Sequence, residues 1–199
     1  MKKIILPLLL IPALAFTFRY ADPLEIGATL PKVDRKMKDV SGKEVSFADV
    51  KTKKGLLVMF SCNTCPWVIR NQDRTRQICA YAMEKGLGVI LLNSNEGSRS
   101  DGDSFEAMQD YAKEQGYKWS YVVDKNNEMA DAFGADRTPE CFLFDGNDKL
   151  VYHGAIDDNP QSADGVNRSH LKEAINEIVQ GKQVSVKKSR SVGCNIKRI

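Results

Sequence analysis

The sequence predicts an α/β domain in which helices flank a mixed central β-sheet. Two continuous apolar runs, residues 56–60 and 88–93, are typical of strands buried on both faces. Between them, residues 66–85 carry an imperfect apolar stripe at helical spacing that ends before Gly86. An Asp-Gly pair within residues 145–148 separates two later apolar runs and indicates an antiparallel hairpin. A helix joining two buried strands, followed by a hairpin, favours a sheet with both parallel and antiparallel pairs.

Turn and capping residues place the remaining elements. Residues on either side of Gly42 predict an N-terminal β-hairpin extension that precedes the first buried strand. Ser104 and Ser169 are predicted N-caps of two helices, because a serine side chain can accept a bond from a free backbone N–H of the first turn. The predicted segments are hairpin strands 36–40 and 44–47, a helix to about residue 115, strand 119–123, helix 127–133, hairpin strands 141–144 and 149–153, and helix 171–179.

The first 18 residues have the pattern of a signal peptide. Lys2 and Lys3 precede an uncharged, mostly apolar run over residues 4–18, and residues 13–15 offer a small-x-small cleavage site. We therefore expect an exported protein, periplasmic or secreted. The run is shorter than the ~20 residues of a membrane-spanning helix, so an uncleaved membrane anchor over residues 4–18 is the alternative. The membrane is a predicted partner only if this anchor is not cleaved.

The remaining chain predicts one domain over residues 26–180 and a basic tail over residues 181–199. The whole sequence has 29 Lys and Arg against 26 Asp and Glu. Loss of the two leader lysines leaves 27 against 26, and a nearly neutral protein is not expected to bind nucleic acid. The basic residues near the end are typical of a solvated tail.

The five cysteines are an odd number, so at least one thiol stays unpaired within the molecule. Cys79 falls on the helical stripe after residue 66 and is interpreted as a core residue. Cys141 and Cys194 are candidate auxiliary thiols. Cys141 lies in a predicted buried strand, where core packing is the competing interpretation. Cys194 lies in the tail, either as a resolving thiol or as a disulfide partner of Cys141.

Cys62 and Cys65 carry the clearest chemical signal. Cysteine attacks as its thiolate, and a helix N-terminus stabilises that anion with free N–H groups and partial positive charge. Pro66 is favoured as the first residue of a helix, which makes Cys65 the N-cap and the predicted nucleophile. Cys62 is close enough in sequence to close a small disulfide ring with Cys65. This spacing between a buried strand and a helix indicates thioredoxin-like redox chemistry.

Two structural alternatives exist for this pair, an inert disulfide and half of a zinc site. A second Cys-x-x-Cys is absent from the sequence, and the spacing of His153 and His170 fits no common tetrahedral ligand pattern. We predict no metal site and interpret both histidines as surface residues. The second informative position is Thr138-Pro139, where a proline directly precedes a predicted strand. Composition alone favours an ordinary trans peptide bond there.

Four segments, residues 26–45, 60–66, 137–158 and 191–197, resemble the redoxin (alkyl hydroperoxide reductase and thiol-specific antioxidant) branch of the thioredoxin superfamily. They are similar to its peroxiredoxin-like subgroup with paired cysteines, over about residues 26–180. The resemblance implies a thioredoxin-like fold. It also implies a cis peptide bond at Pro139, which would face the reactive cysteine and form a substrate-docking surface with Thr138 and Trp67.

The function this implies is that of an enzyme, a thiol-disulfide oxidoreductase acting through Cys62 and Cys65 in an exported compartment. One alternative is a thiol peroxidase with antioxidant activity and Cys65 as its peroxidatic cysteine. Against it, Cys62 replaces the threonine or serine of that motif, and no active-site arginine is assigned. A second alternative is a non-enzymatic thiol-based metal carrier. We expect no cofactor beyond redox-active cysteines. Expected partners are a protein or small-molecule thiol, disulfide or hydroperoxide, and a thiol reductant.

Overall fold

The computed structural model describes residues 22–199, and its centre is a five-stranded mixed sheet. The strands are β1 (Met37–Lys38), β2 (Glu44–Val45), β3 (Leu56–Ser61), β4 (Gly88–Asn93), β5 (Ser120–Val123), β6 (Arg137–Thr138), β7 (Glu140–Phe144), β8 (Leu150–Gly154) and β9 (Cys194–Asn195). The central sheet has the order β5-β4-β3-β7-β8, in which β3, β4 and β5 are parallel to one another and β7 is antiparallel to both β3 and β8. The helices are α1 (Phe47–Val50), α2 (Pro66–Glu84), α3 (Phe105–Glu114), α4 (Glu128–Phe133) and α5 (His170–Val179).

The two faces of the sheet are covered by different helices. All residues of β3 and β4 are buried, as continuous apolar strands between two helical layers should be. Leu57 and Met59 point into one cluster, which contains apolar residues of α2, α3 and α5. Val58 and Phe60 point into the opposite cluster, which contains residues of α1 and α4. The predicted α/β class and mixed sheet are confirmed.

Helix α2 begins at the carboxyl end of β3, at the point the sequence predicts. Pro66 occupies its first turn and Cys65 is the N-cap, with extended backbone angles of φ −69° and ψ 124°. The helix ends before Gly86, whose φ of 87° lies in the left-handed region that favours glycine. This junction fixes Cys62 and Cys65 at the carboxyl edge of the central sheet.

The helix starts predicted from local sequence agree with the structure in part. Phe47, predicted as the last residue of the hairpin strand 44–47, instead begins α1, because Asp49 and Ser46 make a reciprocal capping box. Ser104 caps α3 as predicted, since its hydroxyl accepts from the Ala107 N–H at 3.1 Å. Ser169 occupies the N-cap position of α5, but its side chain makes no capping hydrogen bond.

The end of the chain returns to the domain. β9 pairs with β6 in a separate two-stranded antiparallel sheet, with Thr138 opposite Cys194 and Arg137 opposite Asn195. Further back, the Ser189 N–H donates to the His153 carbonyl at 3.0 Å, along the edge strand β8. The region predicted as a basic tail thus contributes a strand beside the candidate site.

Among residues 22–199, no helix combines the length and apolarity needed to cross a membrane. The predicted signal peptide over residues 1–18 lies outside the described residues.

Candidate active site

The two cysteines of the predicted redox pair lie together and are buried. The exposed fraction is 0% for Cys62 and 4% for Cys65. They form a small apolar cluster with Val68, against which Trp67 and Cys194 pack. We call Cys62, Cys65 and Cys194 the thiol cluster. All three carry free sulfhydryl groups in this structure.

Thr138 contacts the sulfurs of both Cys62 and Cys65. The peptide bond between Thr138 and Pro139 is cis, as the family resemblance implied and composition alone did not. The Cys65 sulfur lies 3.3 Å from the Thr138 carbonyl oxygen, to which it donates only in its protonated form, and the Cys62 sulfur lies 3.5 Å from the Thr138 hydroxyl. Thr138 therefore faces the cysteine pair, and Pro139 follows it directly across the cis peptide bond.

The surroundings of Cys65 favour its thiolate. A hydrogen bond from Cys62 is the largest influence and lowers the pKa of Cys65 to about 4, assisted by a hydrogen bond from Cys194 and by the N–H groups of Val68 and Cys194. These bonds outweigh burial, which acts in the opposite direction. Cys62 has a raised pKa, first because it supplies that proton and then because it is buried. The site is arranged to hold one anion, on Cys65, with Cys62 as its donor.

Cys194 completes the thiol cluster. Its position opposite Thr138 in the β6–β9 pair packs its side chain against the cluster of Cys62, Cys65 and Val68. Burial, followed by a hydrogen bond with Cys65, raises the pKa of Cys194 to about 11. Cys194 was predicted either as a resolving thiol or as a disulfide partner of Cys141. The structure places it beside Cys62 and Cys65, whereas Cys141 belongs to a different cluster. Cys141 is instead fully buried in β7, in the same core cluster as Cys79.

Burial raises the pKa of both Cys79 and Cys141 above the ordinary thiol value, so neither is an activated thiol. The interpretation of Cys79 as a core residue is confirmed by its complete burial.

Sequence reasoning missed a buried carboxylate that anchors the loop between the two cysteines. Asp103 is 0% exposed. It accepts from the Asn63 N–H at 2.7 Å, the Thr64 hydroxyl at 3.0 Å, and the amides of Asn93 and Asn95 at 2.9 Å each. Asp103 therefore fixes the backbone between Cys62 and Cys65. A usable signal was the polar run at the carboxyl end of β4, next to the end of β3, where side chains of neighbouring parallel strands converge.

A second polar pair anchors the segment before the cis-proline. His153, predicted as a surface residue, is instead largely buried and bonds Glu140 at 2.6 Å. The prediction was wrong because His153 stacks against Phe142, which covers its ring. The other oxygen of Glu140 accepts from the N–H groups of Asp136 and Arg137 at 3.0 and 3.1 Å. Glu140 thereby holds the approach to Thr138 in place.

The start of α2 presents apolar side chains around the buried sulfurs. Pro66 is exposed, Trp67 is half-buried and Ile69 is 48% exposed, although it is a large aliphatic residue. The Arg70 guanidinium lies 5.1 Å from the centre of the Trp67 ring, which it partly covers. The surface beside the thiol cluster is thus apolar with one cationic edge.

Within residues 22–199, no group of three or more histidine, cysteine or acidic side chains is arranged to hold a metal ion. The polar chemistry of the site rests on its thiols, on backbone N–H groups and on the Asp103 network.

A mixed sheet that presents paired cysteines at a helix N-terminus opposite a cis-proline is the architecture of thioredoxin-fold oxidoreductases, and this chain has it. Within that class the chain belongs to the redoxin family, whose sequence profile matches residues 25–175.

Relatives and solved structures agree with this assignment. The thiol-disulfide oxidoreductase ResA of Bacillus thuringiensis subsp. konkukian (strain 97-27) is 25% identical over 154 residues, which cover 75% of this chain and 83% of ResA. A hypothetical protein from Sinorhizobium meliloti 1021 has a crystal structure with a TM-score of 0.81 at 31% identity, covering 89% of this chain and 97% of that one. The crystal structure of an uncharacterized conserved protein from Geobacillus kaustophilus has a TM-score of 0.81 at 32% identity, covering 87% of this chain and 92% of that one. The protein is an oxidoreductase enzyme.

Proposed function

We propose that this enzyme catalyses thiol-disulfide exchange through Cys62 and Cys65, with Cys65 as the attacking thiolate. The observation that carries the proposal is the geometry of the pair: Cys65 is the N-cap of α2, Cys62 is buried beside it, and Thr138 of the cis peptide contacts both sulfurs. These surroundings, the hydrogen bond from Cys62 first, lower the pKa of Cys65 to about 4. At neutral pH Cys65 is then ionised while Cys62 keeps its proton. A thiolate is the nucleophilic form of cysteine, and its neighbour holds the proton that a leaving thiolate takes up.

In the reducing direction, the Cys65 thiolate attacks one sulfur of a substrate disulfide. A Cys65–substrate bond forms, the substrate S–S bond breaks, and one substrate sulfur leaves as a thiolate. Cys62 then loses its proton and attacks Cys65, which forms the Cys62–Cys65 disulfide and releases the second substrate sulfur. The substrate gains two electrons and the pair loses two. A thiol reductant returns the pair to its reduced state, and the oxidising direction reverses these steps.

The docking surface we propose comprises Thr138, Pro139 and Trp67. Thr138 contacts both sulfurs, Pro139 follows it across the cis peptide bond, and the half-buried indole of Trp67 packs against the cysteine cluster. The apolar side chains that α2 exposes near this point suit a partner that brings its own apolar surface. Substrates are protein or small-molecule thiols and disulfides. The leader predicted over residues 1–18 supports action in an exported compartment.

The test is reduction of a disulfide-bonded protein by dithiothreitol, with catalytic amounts of the full-length chain. Cys65→Ser should lower the catalysed rate on the order of a hundredfold or more, because a hydroxyl cannot replace the thiolate. Cys79→Ala is the matched control, since Cys79 is a core thiol, and it should keep most of the rate. Equal rates for Cys65→Ser and the wild-type protein would contradict the proposal.

A parallel stopped-flow experiment separates exchange from peroxide reduction. Reduced protein is mixed with hydrogen peroxide, and the fluorescence of Trp67, adjacent to Cys65, reports oxidation. We expect a rate near that of a free low-pKa thiol. A Cys65-dependent rate that is orders of magnitude faster would instead assign a peroxidase, with a sulfenic acid on Cys65 resolved by Cys62.

A further inference from the structure

The segment that carries Cys194 is bound to the site on several sides. Its strand β9 pairs with β6, directly before the cis-proline. The Ile196 N–H donates to the Asp136 carbonyl at 2.9 Å, and the Ile196 side chain is only 5% exposed. The Gly97 N–H donates to the Lys197 carbonyl at 2.8 Å. Cys194 is therefore held at a fixed position instead of being presented by a free tail.

The same buried network positions Cys194 and the redox pair. Asn95 accepts from the Lys197 N–H at 3.0 Å, and the amide of Asn95 donates to Asp103 at 2.9 Å. Asp103 in turn holds Asn63 and Thr64, the residues between Cys62 and Cys65. A side chain at Gly193 would prevent this arrangement, because its Cβ would lie 2.2 Å from the carbonyl oxygen of Thr138.

The three sulfurs also differ in access. Cys62 and Cys65 are almost completely buried, whereas Cys194 is half-buried at the surface of the cluster. The dithiol that reduces the enzyme can thus reach Cys194 from solvent more readily than it reaches the oxidised pair. Intramolecular transfer between adjacent sulfurs is fast because the reacting atoms are already in place.

We propose that Cys194 is a third redox thiol, which exchanges with Cys65 and connects the buried pair to partners at the surface. The Cys194 thiolate attacks Cys65 in the Cys62–Cys65 disulfide. A Cys65–Cys194 bond forms, the Cys62–Cys65 bond breaks, and Cys62 leaves as a thiolate that takes up the proton lost by Cys194. This step moves the disulfide without changing its oxidation state. An external dithiol then attacks Cys194 and leaves as a disulfide, while Cys65 and Cys194 return to thiols.

This inference rests on the proposed function, and the sequence allows the two to be tested separately. Trypsin releases Cys65 in the peptide 55–70 and Cys194 in the peptide 191–197, whereas Cys79 and Cys141 fall in the peptides 77–85 and 138–149. A Cys65–Cys194 bond therefore appears as a cross-linked pair of peptides in mass spectrometry. Reduced full-length Cys62→Ser protein is mixed with glutathione disulfide, quenched with acid at intervals and digested without reduction.

We expect the 55–70 peptide to acquire glutathione first and then to lose it as the cross-link to 191–197 appears. Cys62→Ser/Cys194→Ser should stop at the glutathione adduct. Cys62→Ser/Gly193→Ala keeps the sulfurs of Cys65 and Cys194 but displaces β9. It should form the cross-link at least about tenfold more slowly than Cys62→Ser, because the attack is no longer preorganised. In native protein quenched during turnover, the same cross-link should be present, and Cys194→Ser should abolish it.

A lasting glutathione adduct on Cys65 of Cys62→Ser, with no cross-link above the Gly193→Ala level, would overturn this inference and leave the exchange function intact. Absence of both the glutathione adduct on Cys65 and the cross-link would instead count against the proposed function itself.

Discussion

Loss of the Asp103 carboxylate should destabilise the fold and free the loop that carries the cysteine pair. Asp103→Ala removes the acceptor of four hydrogen bonds. Two of the donors keep a partner, since the Asn93 amide also bonds the Tyr121 hydroxyl at 3.0 Å and the exposed Thr64 can turn to water. The Asn63 N–H and the buried amide of Asn95 remain unpaired. At about 1–3 kcal/mol for each unsatisfied donor, the free energy of unfolding should fall by roughly 2–6 kcal/mol.

Urea unfolding of the reduced protein, followed by tryptophan fluorescence, measures this loss. Asp101→Ala is the matched control, because Asp101 is exposed on the same loop and should change the free energy by no more than about 0.5 kcal/mol. Alkylation of Cys62 by iodoacetamide should also be faster in Asp103→Ala than in Asp101→Ala. A free energy for Asp103→Ala within that control range would refute the role we assign to this network.

Three further predictions follow from thiol electrostatics and backbone geometry. Cys62→Ala should raise the pKa of Cys65 by roughly 1–2, because one hydrogen bond to a charged group, the thiolate, is lost. A titration followed by the ultraviolet absorbance of the thiolate measures this pKa. An unchanged pKa would mean that groups other than Cys62 cause the low value. Because the folded pKa of Cys65, about 4, lies below its ordinary value of 9.0, the stability that its thiolate contributes is complete above pH 9, falls as the pH is lowered and is lost near pH 4. The stability difference between wild type and Cys65→Ser should therefore change across that window, and a difference independent of pH would contradict the assignment. Gly55→Ala should lower the thermal midpoint more than Gly116→Ala, since a Cβ at Gly55 would lie 2.2 Å from the Phe144 carbonyl whereas one at Gly116 meets open space; equal losses would contradict this.

Elements with a periodic or continuous apolar pattern could be predicted to within one or two residues. The predicted strand 88–93 coincides with β4, and the predicted helix from residue 66 is α2. These segments are specified by their own burial, because a strand between two helical layers must be apolar throughout and a helix on one face must have a stripe. The N-cap position of Cys65 followed from Pro66 for the same local reason.

The missed features depend on contacts between distant parts of the chain. β6 and β9 are strands of two residues each, too short to show any periodicity. They pair with each other although they lie more than fifty positions apart in the sequence. Cys194 therefore resembled a tail residue although it lies against Cys65. Asp103 resembled a solvated loop carboxylate because the donors that surround it come from two other segments. The polar run after β4 indicates that side chains converge at this edge of the sheet, but no sequence spacing identifies Asp103 as the residue that accepts their hydrogen bonds.

The central claim is that Cys65 is the sulfur that attacks the substrate. The most direct measurement uses reduced Cys62→Ser/Cys194→Ser protein, which lacks both neighbouring thiols, mixed with a disulfide-bonded peptide and analysed by mass spectrometry. We predict a stable mixed disulfide on Cys65, which is absent when Cys65→Ser is added to the same background. If the adduct forms equally in both proteins, or forms on neither, Cys65 is not the nucleophile of this enzyme.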